Sequence, residues 1–216
     1  MSLLRTNTMT QLKPHAILFD MDGVLVDTES LWFTAFNASL KQYNYPLVTK
    51  QQFSELFWGK DLSDSIESIN VSKDVLPACN EYYLKHLHKV RLFPTALTVL
   101  SELNTYKKAI ITNTPKTITM QIVETLHLTH YFDTIVTVDD VAKGKPAPDV
   151  VYEACKQLSV IPSDTVLIGD TINDVTAGKT AGCTVIGLNV KADFTIQSLH
   201  ELSSILKIES KGETRV

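Results

Sequence analysis

Two carboxylates separated by one residue follow directly on a short apolar run near the start of the chain. The run Ala16–Phe19 is followed by Asp20, Asp22 and Gly23. An uninterrupted apolar run of this length predicts a buried strand of a parallel sheet. In open α/β sheets, ligands bind just beyond the carboxyl ends of the strands. We therefore expect Asp20 to stand at that edge and Asp22 to face the same pocket, while Gly23 allows the chain a sharp exit.

An Asp-x-Asp pair is a weak signal by itself, because short acidic motifs and Asp-Gly turns also arise by chance. The support comes from polar residues that end other predicted strands. Thr112 and Asn113 follow the apolar residues 109–111. A hydroxyl and backbone N–H groups at such a strand-to-helix turn can bind phosphate oxygens. Taken alone, the same two residues are better explained as a helix cap.

A lysine is held in a stiff loop further along the chain, in the segment 143–149, which reads KGKPAPD. The residue before a proline is restricted to extended backbone, so Lys145 and Ala147 are both constrained. Such a loop can hold one ammonium group at a fixed point. Lys143 is the alternative, and spacing alone does not decide between the two lysines.

A second acidic pair, Asp170 and Asp174, follows the apolar strand predicted at 165–168. Asp174 lies one helical turn after Asp170 and therefore on the same side. Carboxylates from two strand ends that meet at one edge form a site suited to a hard cation such as Mg²⁺. Acids that cap a helix and face solvent are the simpler alternative.

The periodicity of the chain predicts the elements that must position these residues. Apolar runs predict five strands, at 16–19, 109–111, 134–138, 165–168 and 184–188. Helical spacing predicts helices at 28–40, 50–57, 62–69, 74–90, 95–103, 117–126, 149–158, 172–181 and 196–206. Strands that alternate with helices indicate an α/β fold with a doubly wound, Rossmann-like parallel sheet. The long helical stretch after the first strand predicts an inserted all-helical cap domain.

We expect two domains, an α/β core formed by 14–26 and 92–216 and a helical cap formed by 27–91. Residues Trp58, Gly59 and Lys60 interrupt the helical pattern of the cap and are candidates for a substrate-facing loop. A glycine that ends a helix explains the interruption nearly as well.

Composition limits the possible partners. The 216 residues are 44% hydrophobic and 20% charged, which is ordinary for a globular protein, and the formal net charge is -4. A negative chain has no general attraction for nucleic acid or anionic membranes. Three widely spaced cysteines and the absence of a long apolar segment indicate a reducing, cytoplasmic setting. A small phosphorylated metabolite remains a possible partner, because local cations matter more than the total charge, and we expect a monomer or weak dimer.

Four motifs together resemble the haloacid dehalogenase superfamily, subfamily I, the phosphatases and phosphomutases with a helical cap. They are DMDGVL at 20–25, Thr112 in ITN, Lys145 in GKP and GDTIND at 169–174. The resemblance covers nearly the whole chain. It implies that Asp20 forms an aspartyl-phosphate, that Asp22 acts as general acid and base, and that Thr112 and Lys145 hold the phosphoryl group.

The resemblance also implies a cofactor and a set of binding residues. Mg²⁺ would be held by Asp20, the carbonyl oxygen of Asp22, Asp170 and, directly or in an outer shell, Asp174. The implied substrate-binding residues are Gly23, Glu29, Asn113, Trp58, Gly59 and Lys60.

Among the reactions of this superfamily, the sequence favours hydrolysis of a small phosphate monoester, such as a sugar phosphate or a phosphoglycolate-like ester. Dehalogenases and phosphonate hydrolases lack an acid at the position of Asp22. A β-phosphoglucomutase is the alternative, but Trp32 and Leu62 stand where the mutase pattern has histidine and arginine. A receiver domain that accepts a phosphoryl group, or an inactive binding protein, is a further alternative of a different class.

Overall fold

The computed structural model describes residues 11–208, apart from the side chains of residues 64, 67 and 68. Its centre is a parallel sheet of six strands. They are β1 Ala16–Phe19, β4 Lys107–Thr112, β5 Thr134–Thr137, β6 Thr165–Gly169, β7 Thr184–Leu188 and β8 Phe194–Ile196. Across the sheet they lie in the order β5-β4-β1-β6-β7-β8. The predicted doubly wound α/β fold is confirmed.

The apolar sequence of β1 explains its central position. All four of its residues are fully buried, and they contribute alternately to two hydrophobic clusters, one on each face of the sheet. A strand covered on both faces has no polar side, so a continuous apolar run is the expected pattern. In register, Phe19 lies beside Ile110 of β4 and Ile168 of β6. The residues that follow these three strands consequently meet at one edge.

Helices cover both faces of the sheet. They are α5 Ala96–Glu102, α6 Lys116–Thr125, α7 Asp149–Leu158, α8 Ile172–Ala181 and α9 Leu202–Ile205. Buried residues of α5 and α6 join the cluster around Phe19, and those of α7 and α8 join the cluster around Leu18. The sheet is therefore enclosed, which leaves its strand ends as the place for a site.

The long segment after β1 is helical, as expected. It contains α1 Glu29–Gln42, α2 Lys50–Leu56, α3 Leu62–Ser68 and α4 Val75–Lys85. Phe36, Phe53 and Phe57 pack together inside it, with ring centroids 4.7 Å apart for Phe36 and Phe57. Two short antiparallel strands, β2 Val26–Asp27 and β3 Arg91–Leu92, lie at its two ends. The division into core and cap domains at these positions stays a prediction.

The end of the chain differs from the prediction. Five strands were expected for the main sheet, and β8 is a sixth, while β2 and β3 were not predicted at all. The helix expected at 196–206 is wrong in its first half. Ile196 ends a strand, and the chain then turns at Ser198, whose side chain accepts a hydrogen bond from His200 N, while Glu201 Oε1 accepts one from Ser198 N at 3.0 Å. This capping box starts a 3₁₀ turn, Leu199–Glu201, ahead of α9.

The helix expected at 74–90 is also shorter than predicted. It ends at Lys85, and a 3₁₀ turn, Leu87–Lys89, leads into β3. Among residues 11–208, no helix combines the length and the apolar character needed to cross a membrane.

Candidate active site

The carboxyl ends of β1, β4 and β6 bring the predicted residues together. Asp20 directly follows β1 and its backbone N–H donates to the carbonyl of Ile168, at 2.9 Å. Thr112 ends β4, and Asp170 directly follows β6. The aligned register of the three strands therefore places a carboxylate, a hydroxyl and a second carboxylate at one edge of the sheet.

Lys145 is the cation of this group. Its Nζ lies 2.7 Å from Asp20 Oδ1 and 2.6 Å from Asp174 Oδ1, and it also contacts the carbonyl of Ile111 at 3.3 Å. Only 3% of Lys145 is exposed. The alternative, Lys143, is exposed and also lines the cleft described below, but the ammonium group beside Asp20 belongs to Lys145.

Asn113 holds the loop that carries this lysine. Its Oδ1 accepts from Lys145 N and its Nδ2 donates to Lys145 O, both at 2.8 Å. The Lys145–Pro146 peptide bond is cis. Gly144 is required here, because a Cβ at this position would lie 2.6 Å from Asn113 Oδ1. Asn113 was predicted to bind substrate; in this structure its side chain holds the loop that carries Lys145 through these two hydrogen bonds.

Burial and neighbouring charges shift the pKa of both partners of the central ion pair. Burial, together with the charge of Asp174, raises the pKa of Asp20 well above its usual value, and Lys145 only partly offsets this. Burial alone would lower the pKa of Lys145, but the charges of Asp174 and Asp20 reverse the effect and raise it. The lysine consequently stays an ammonium ion in a site rich in acids.

Four donors surround the carboxylate of Asp22. Thr28 Oγ1 and Trp32 Nε1 donate to Oδ1, at 2.6 Å and 3.3 Å, and Thr112 Oγ1 and Thr114 Oγ1 donate to Oδ2, at 3.2 Å and 2.8 Å. The three hydroxyls can donate to an ionised carboxylate or accept from a protonated one. Asp22 is therefore held in one orientation by groups that tolerate both of its protonation states.

Three carboxylates form a group with the geometry of a cation site. Ligand atoms of Asp20, Asp170 and Asp174 all lie within 4.8 Å of one another. Asp170 Oδ1 is buried and has no hydrogen-bond partner among the described residues. A buried carboxylate oxygen without a donor is costly unless a cation binds it. The residues therefore fit a divalent metal ion with oxygen ligands.

Asp174 differs from the other two acids because both of its oxygens are already engaged. Oδ1 pairs with Lys145, and Oδ2 accepts from Thr171 Oγ1 at 2.6 Å and Thr171 N at 3.0 Å. Thr171 and Asp174 form the capping box that starts α8. The side chain of Asp22 is not part of this group of three, so its backbone carbonyl stays the predicted ligand atom.

Gly23 fits between the two acidic segments because it has no side chain. Its φ is +79°, in the left-handed region, and a Cβ there would lie 2.1 Å from Asp170 Oδ2. Substrate contact was predicted for Gly23, whereas in this structure its evident role is to let the loop after β1 approach Asp170.

Replacing Asp170 with asparagine should stabilise the metal-free protein at alkaline pH. Burial and the charge of Asp174 raise the pKa of Asp170 to about 7. The folded state thus binds more protons than the unfolded state between about pH 4 and that value, so stability falls as pH rises through this window. Asparagine does not titrate, so the variant does not lose this stability. We expect its free energy of unfolding, relative to that of the natural protein, to rise by about 2 kcal/mol between about pH 5 and about pH 8.

Thermal unfolding with a chelator present measures this difference. Glu124→Gln, at an exposed position of α6 outside the site, provides the matched control and should show no comparable growth. An advantage of Asp170→Asn that is the same at both pH values would contradict the raised pKa.

A cleft of about 1010 Å³ separates this edge of the sheet from the helical segment. Trp58, Gly59 and Lys60 line it from the helical side, and that this loop faces a substrate stays a prediction. Trp58 and Gly59 also contact the core directly, through Asp170, Asn113 and Asn173. Lys60 is exposed, with its Nζ 3.4 Å from the carbonyl of Glu55.

Glu29 lies apart from this cleft. It is not among the described residues that line it, and its carboxylate accepts a hydrogen bond from Ser54 instead. The position of Glu29 in the first turn of α1 directs it to α2, because these two helices pack against each other. Substrate contact by Glu29 therefore has no support in this structure.

Sequence reasoning did not single out three of the groups around Asp22, namely Thr28, Thr114 and the indole of Trp32. A signal was present for one of them. Thr114 stands two residues after Thr112, so both hydroxyls can reach the same acceptor from one turn. Thr28 and Trp32 approach from the start of α1, a contact that the sequence does not encode locally.

Comparisons with known proteins agree with this geometry. A family model described as haloacid dehalogenase-like hydrolase matches residues 17–188. The pyrophosphatase PpaX of Bacillus velezensis is 32% identical, over 91% of this chain and 91% of the relative.

Two solved structures share the fold. CbbY from Rhodobacter sphaeroides, in complex with phosphate, is 24% identical with a TM-score of 0.79, over 89% of this chain and 99% of that chain. A predicted phosphoglycolate phosphatase from Haemophilus somnus is also 24% identical, with a TM-score of 0.77, over 91% of this chain and 99% of that chain. On this evidence the chain belongs to the haloacid dehalogenase-like hydrolase family and is an enzyme that hydrolyses phosphoric esters.

Proposed function

We propose that the chain is a Mg²⁺-dependent phosphatase that hydrolyses a small phosphate monoester through an aspartyl-phosphate at Asp20. One observation carries the proposal: the ammonium of Lys145 lies 2.7 Å from Asp20, beside a second carboxylate, Asp22, that hydroxyls orient. Phosphoryl transfer depends mainly on positioning and on neutralising charge. This site supplies a nucleophile, a proton donor and a fixed cation within one cleft.

In the first step, the carboxylate of Asp20 attacks phosphorus and the bond from phosphorus to the ester oxygen breaks. Asp22, in its protonated form, gives its proton to the leaving alkoxide. Lys145 stabilises the negative charge of the phosphoryl oxygens as the group is transferred, and so does Thr112 when its hydroxyl turns from Asp22 to those oxygens. The products of the step are an alcohol, the aspartyl-phosphate and the ionised form of Asp22.

In the second step, water attacks the phosphorus of the aspartyl-phosphate. Asp22 accepts a proton from that water, and the bond between phosphorus and the Asp20 oxygen breaks. Inorganic phosphate leaves, and both acids return to their starting protonation states. The hydroxyls of Thr28, Thr112 and Thr114 suit this cycle, since they can hydrogen-bond to either form of Asp22.

Asp20, Asp170 and the backbone carbonyl of Asp22 would hold Mg²⁺, with Asp174 as an outer ligand that is tied to Lys145. Bound there, the ion would neutralise the charge of the phosphoryl oxygens and lessen the repulsion between the acids and the substrate. The buried, unpartnered Oδ1 of Asp170 supports its assignment as a direct ligand.

The remainder of the cleft favours an ester with an uncharged leaving group. Two lysines, Lys60 and Lys143, line it, but so do Asp61 and Asp139. Leu62 supplies an apolar surface on the helical side, where the mutase pattern carries an arginine. A second phosphate would find no surplus of positive charge there, so a monoester of a neutral sugar or short-chain alcohol is favoured over a bisphosphate, and hydrolase over phosphomutase.

A pyrophosphatase is the second candidate, because the PpaX relative is named for that activity and is 32% identical. In the same proposal, the partner is a small metabolite, the protein acts as a monomer or weak dimer in the cytoplasm, and neither nucleic acid nor a membrane is involved.

Release of phosphate from p-nitrophenyl phosphate, with and without Mg²⁺, tests the proposed reaction. Steady turnover that needs Mg²⁺ is expected, and it excludes a receiver domain and an inactive binding protein. No turnover with any divalent ion would overturn the proposal. A parallel assay with pyrophosphate and a panel of sugar phosphates decides between the two candidate substrate classes through their kcat/KM values.

A further inference from the structure

The loop 57–61 of the helical segment, called the cap loop here, reaches across the cleft to the acidic cluster. The indole Nε1 of Trp58 donates a hydrogen bond to Asp170 Oδ2, at 3.2 Å. The other oxygen of the same carboxylate, Oδ1, is buried without a partner. One residue of the cap loop therefore fixes one oxygen of Asp170 and leaves its other oxygen available.

The next residue of the cap loop is held by two different segments of the core. The carbonyl of Gly59 accepts from Asn113 Nδ2 at 3.2 Å and from Asn173 Nδ2 at 3.1 Å. Gly59 has a φ of +71°, and a Cβ there would lie 2.6 Å from Thr171 Cγ2, so only glycine allows this approach. Asn113 also clamps the backbone of Lys145. The cap loop is thus joined to the elements that carry the metal ligand and the lysine.

We propose that Trp58 is a positioning residue for Asp170 and that, through Trp58, closure of the cap loop strengthens binding of a divalent cation. The proposal rests on the proposed function, because it requires a cation at the acidic cluster. An indole N–H can only donate, so it holds Asp170 Oδ2 in place and leaves Oδ1 for the cation. Groups that orient a ligand from behind in this way are typically worth 10–100-fold in metal affinity.

The coupling acts in both directions. If the closed cap loop raises the affinity for the cation, the cation must favour the closed cap loop by the same factor. A cation that binds only the closed form also has its apparent affinity reduced by the fraction of molecules that are open. Loosening the Gly59 contacts should therefore weaken cation binding, even though the hydrogen bonds of the Gly59 carbonyl go to Asn113 and Asn173 and not to the three acids.

Calorimetric titration of the whole protein with Mg²⁺, in the absence of substrate, tests the role of Trp58. Trp58→Phe keeps an aromatic ring and removes the donor, and we expect about tenfold weaker binding. Tyr152→Phe is the matched control, since it removes one polar group from a half-exposed aromatic residue on α7 and should leave the affinity unchanged. Unchanged or tighter binding by Trp58→Phe would overturn the proposal, and tighter binding would identify the indole as a competitor of the cation.

Hydrogen exchange of residues 57–61 tests the coupling independently. In the natural protein, Mg²⁺ should slow hydrogen exchange of the cap loop. Asn173→Ala should reduce this protection, and it should weaken Mg²⁺ binding by about threefold. This second variant leaves the atoms of Trp58 and Asp170 in place. Loss of protection with full affinity, or full protection in Trp58→Phe, would show that closure and cation binding are independent.

The two proposals fail in different ways. If the natural protein binds no Mg²⁺ in the calorimeter, the proposed cation site is wrong, and so is the proposed role of Trp58. If it binds Mg²⁺ and hydrolyses p-nitrophenyl phosphate, while Trp58→Phe binds Mg²⁺ as tightly, only the inference about Trp58 is wrong.

Discussion

Asp20→Asn should reduce steady turnover by about 10⁴-fold or more while the protein stays folded. The carboxamide cannot attack phosphorus, and removal of the nucleophile of a covalent mechanism costs nearly the whole catalytic effect. The fold should tolerate the change, because the asparagine Oδ1 can still accept from Met21 N and from Lys145. Burial also raises the pKa of Asp20, so loss of its charge relieves an unfavourable burial.

Three measurements check this prediction. Phosphate release from p-nitrophenyl phosphate gives the rate, and thermal unfolding should give a midpoint equal to or above that of the natural protein. Mass spectrometry of quenched turnover mixtures should detect a phosphoryl adduct on the peptide that carries residue 20 only in the natural protein. Asp164→Asn, outside the cleft, should keep both rate and adduct. Natural turnover by Asp20→Asn would rule out Asp20 as the nucleophile.

The residues at strand ends could be predicted from the sequence for a simple physical reason. Parallel strands in register end at one edge of the sheet, so a polar residue that directly follows an apolar strand must lie at that edge. Asp20, Thr112 and Asp170 are each placed by this rule. Lys145 is reached less directly, since its loop is positioned by Asn113 rather than by a strand.

Contacts made by the helical segment could not be predicted in this way. Trp58 and Asp170 are 112 residues apart, and their hydrogen bond depends on how the cap loop folds over the core. The same holds for Trp32, which reaches Asp22 because α1 packs against α4, where the Trp32 ring lies against Tyr83 at a tilt of 30°, with centroids 4.1 Å apart. Packing between distant helices leaves no local pattern of residues, so the roles of these side chains emerge only from coordinates.

For two features that differ from the prediction, the sequence contains a capping-box spacing that apolar periodicity does not detect. Thr171 precedes Asp174 by three residues, the spacing of a capping box, which explains why Asp174 has less freedom to bind a metal than its sequence neighbour Asp170. Ser198 and Glu201 have the same spacing, and they mark the start of the last helical turn after β8. Because only apolar spacing was used, the predicted helix began at residue 196, which is the last residue of β8.

Lys145→Ala should lower kcat/KM by about 100-fold or more, the effect of removing one preorganised group that stabilises developing charge. The ammonium lies 2.7 Å from Asp20 and 2.6 Å from Asp174, so its loss leaves two buried carboxylates without their cation. Breaking a buried ion pair from one side typically costs about 3–5 kcal/mol. The variant should therefore be both slow and less stable, and its rate must be measured well below its unfolding midpoint.

Lys143→Ala is the matched control, because it removes an exposed ammonium group from the same loop, two residues before Lys145. It should keep its stability and most of its kcat, since Lys143 makes no contact with Asp20 in the described part of the chain. Any effect should fall on KM. A 100-fold loss in Lys143→Ala, with Lys145→Ala near the natural rate, would reverse the assignment of the two lysines. The charge on Asp20 would then be balanced by a group that reaches it only when substrate is bound.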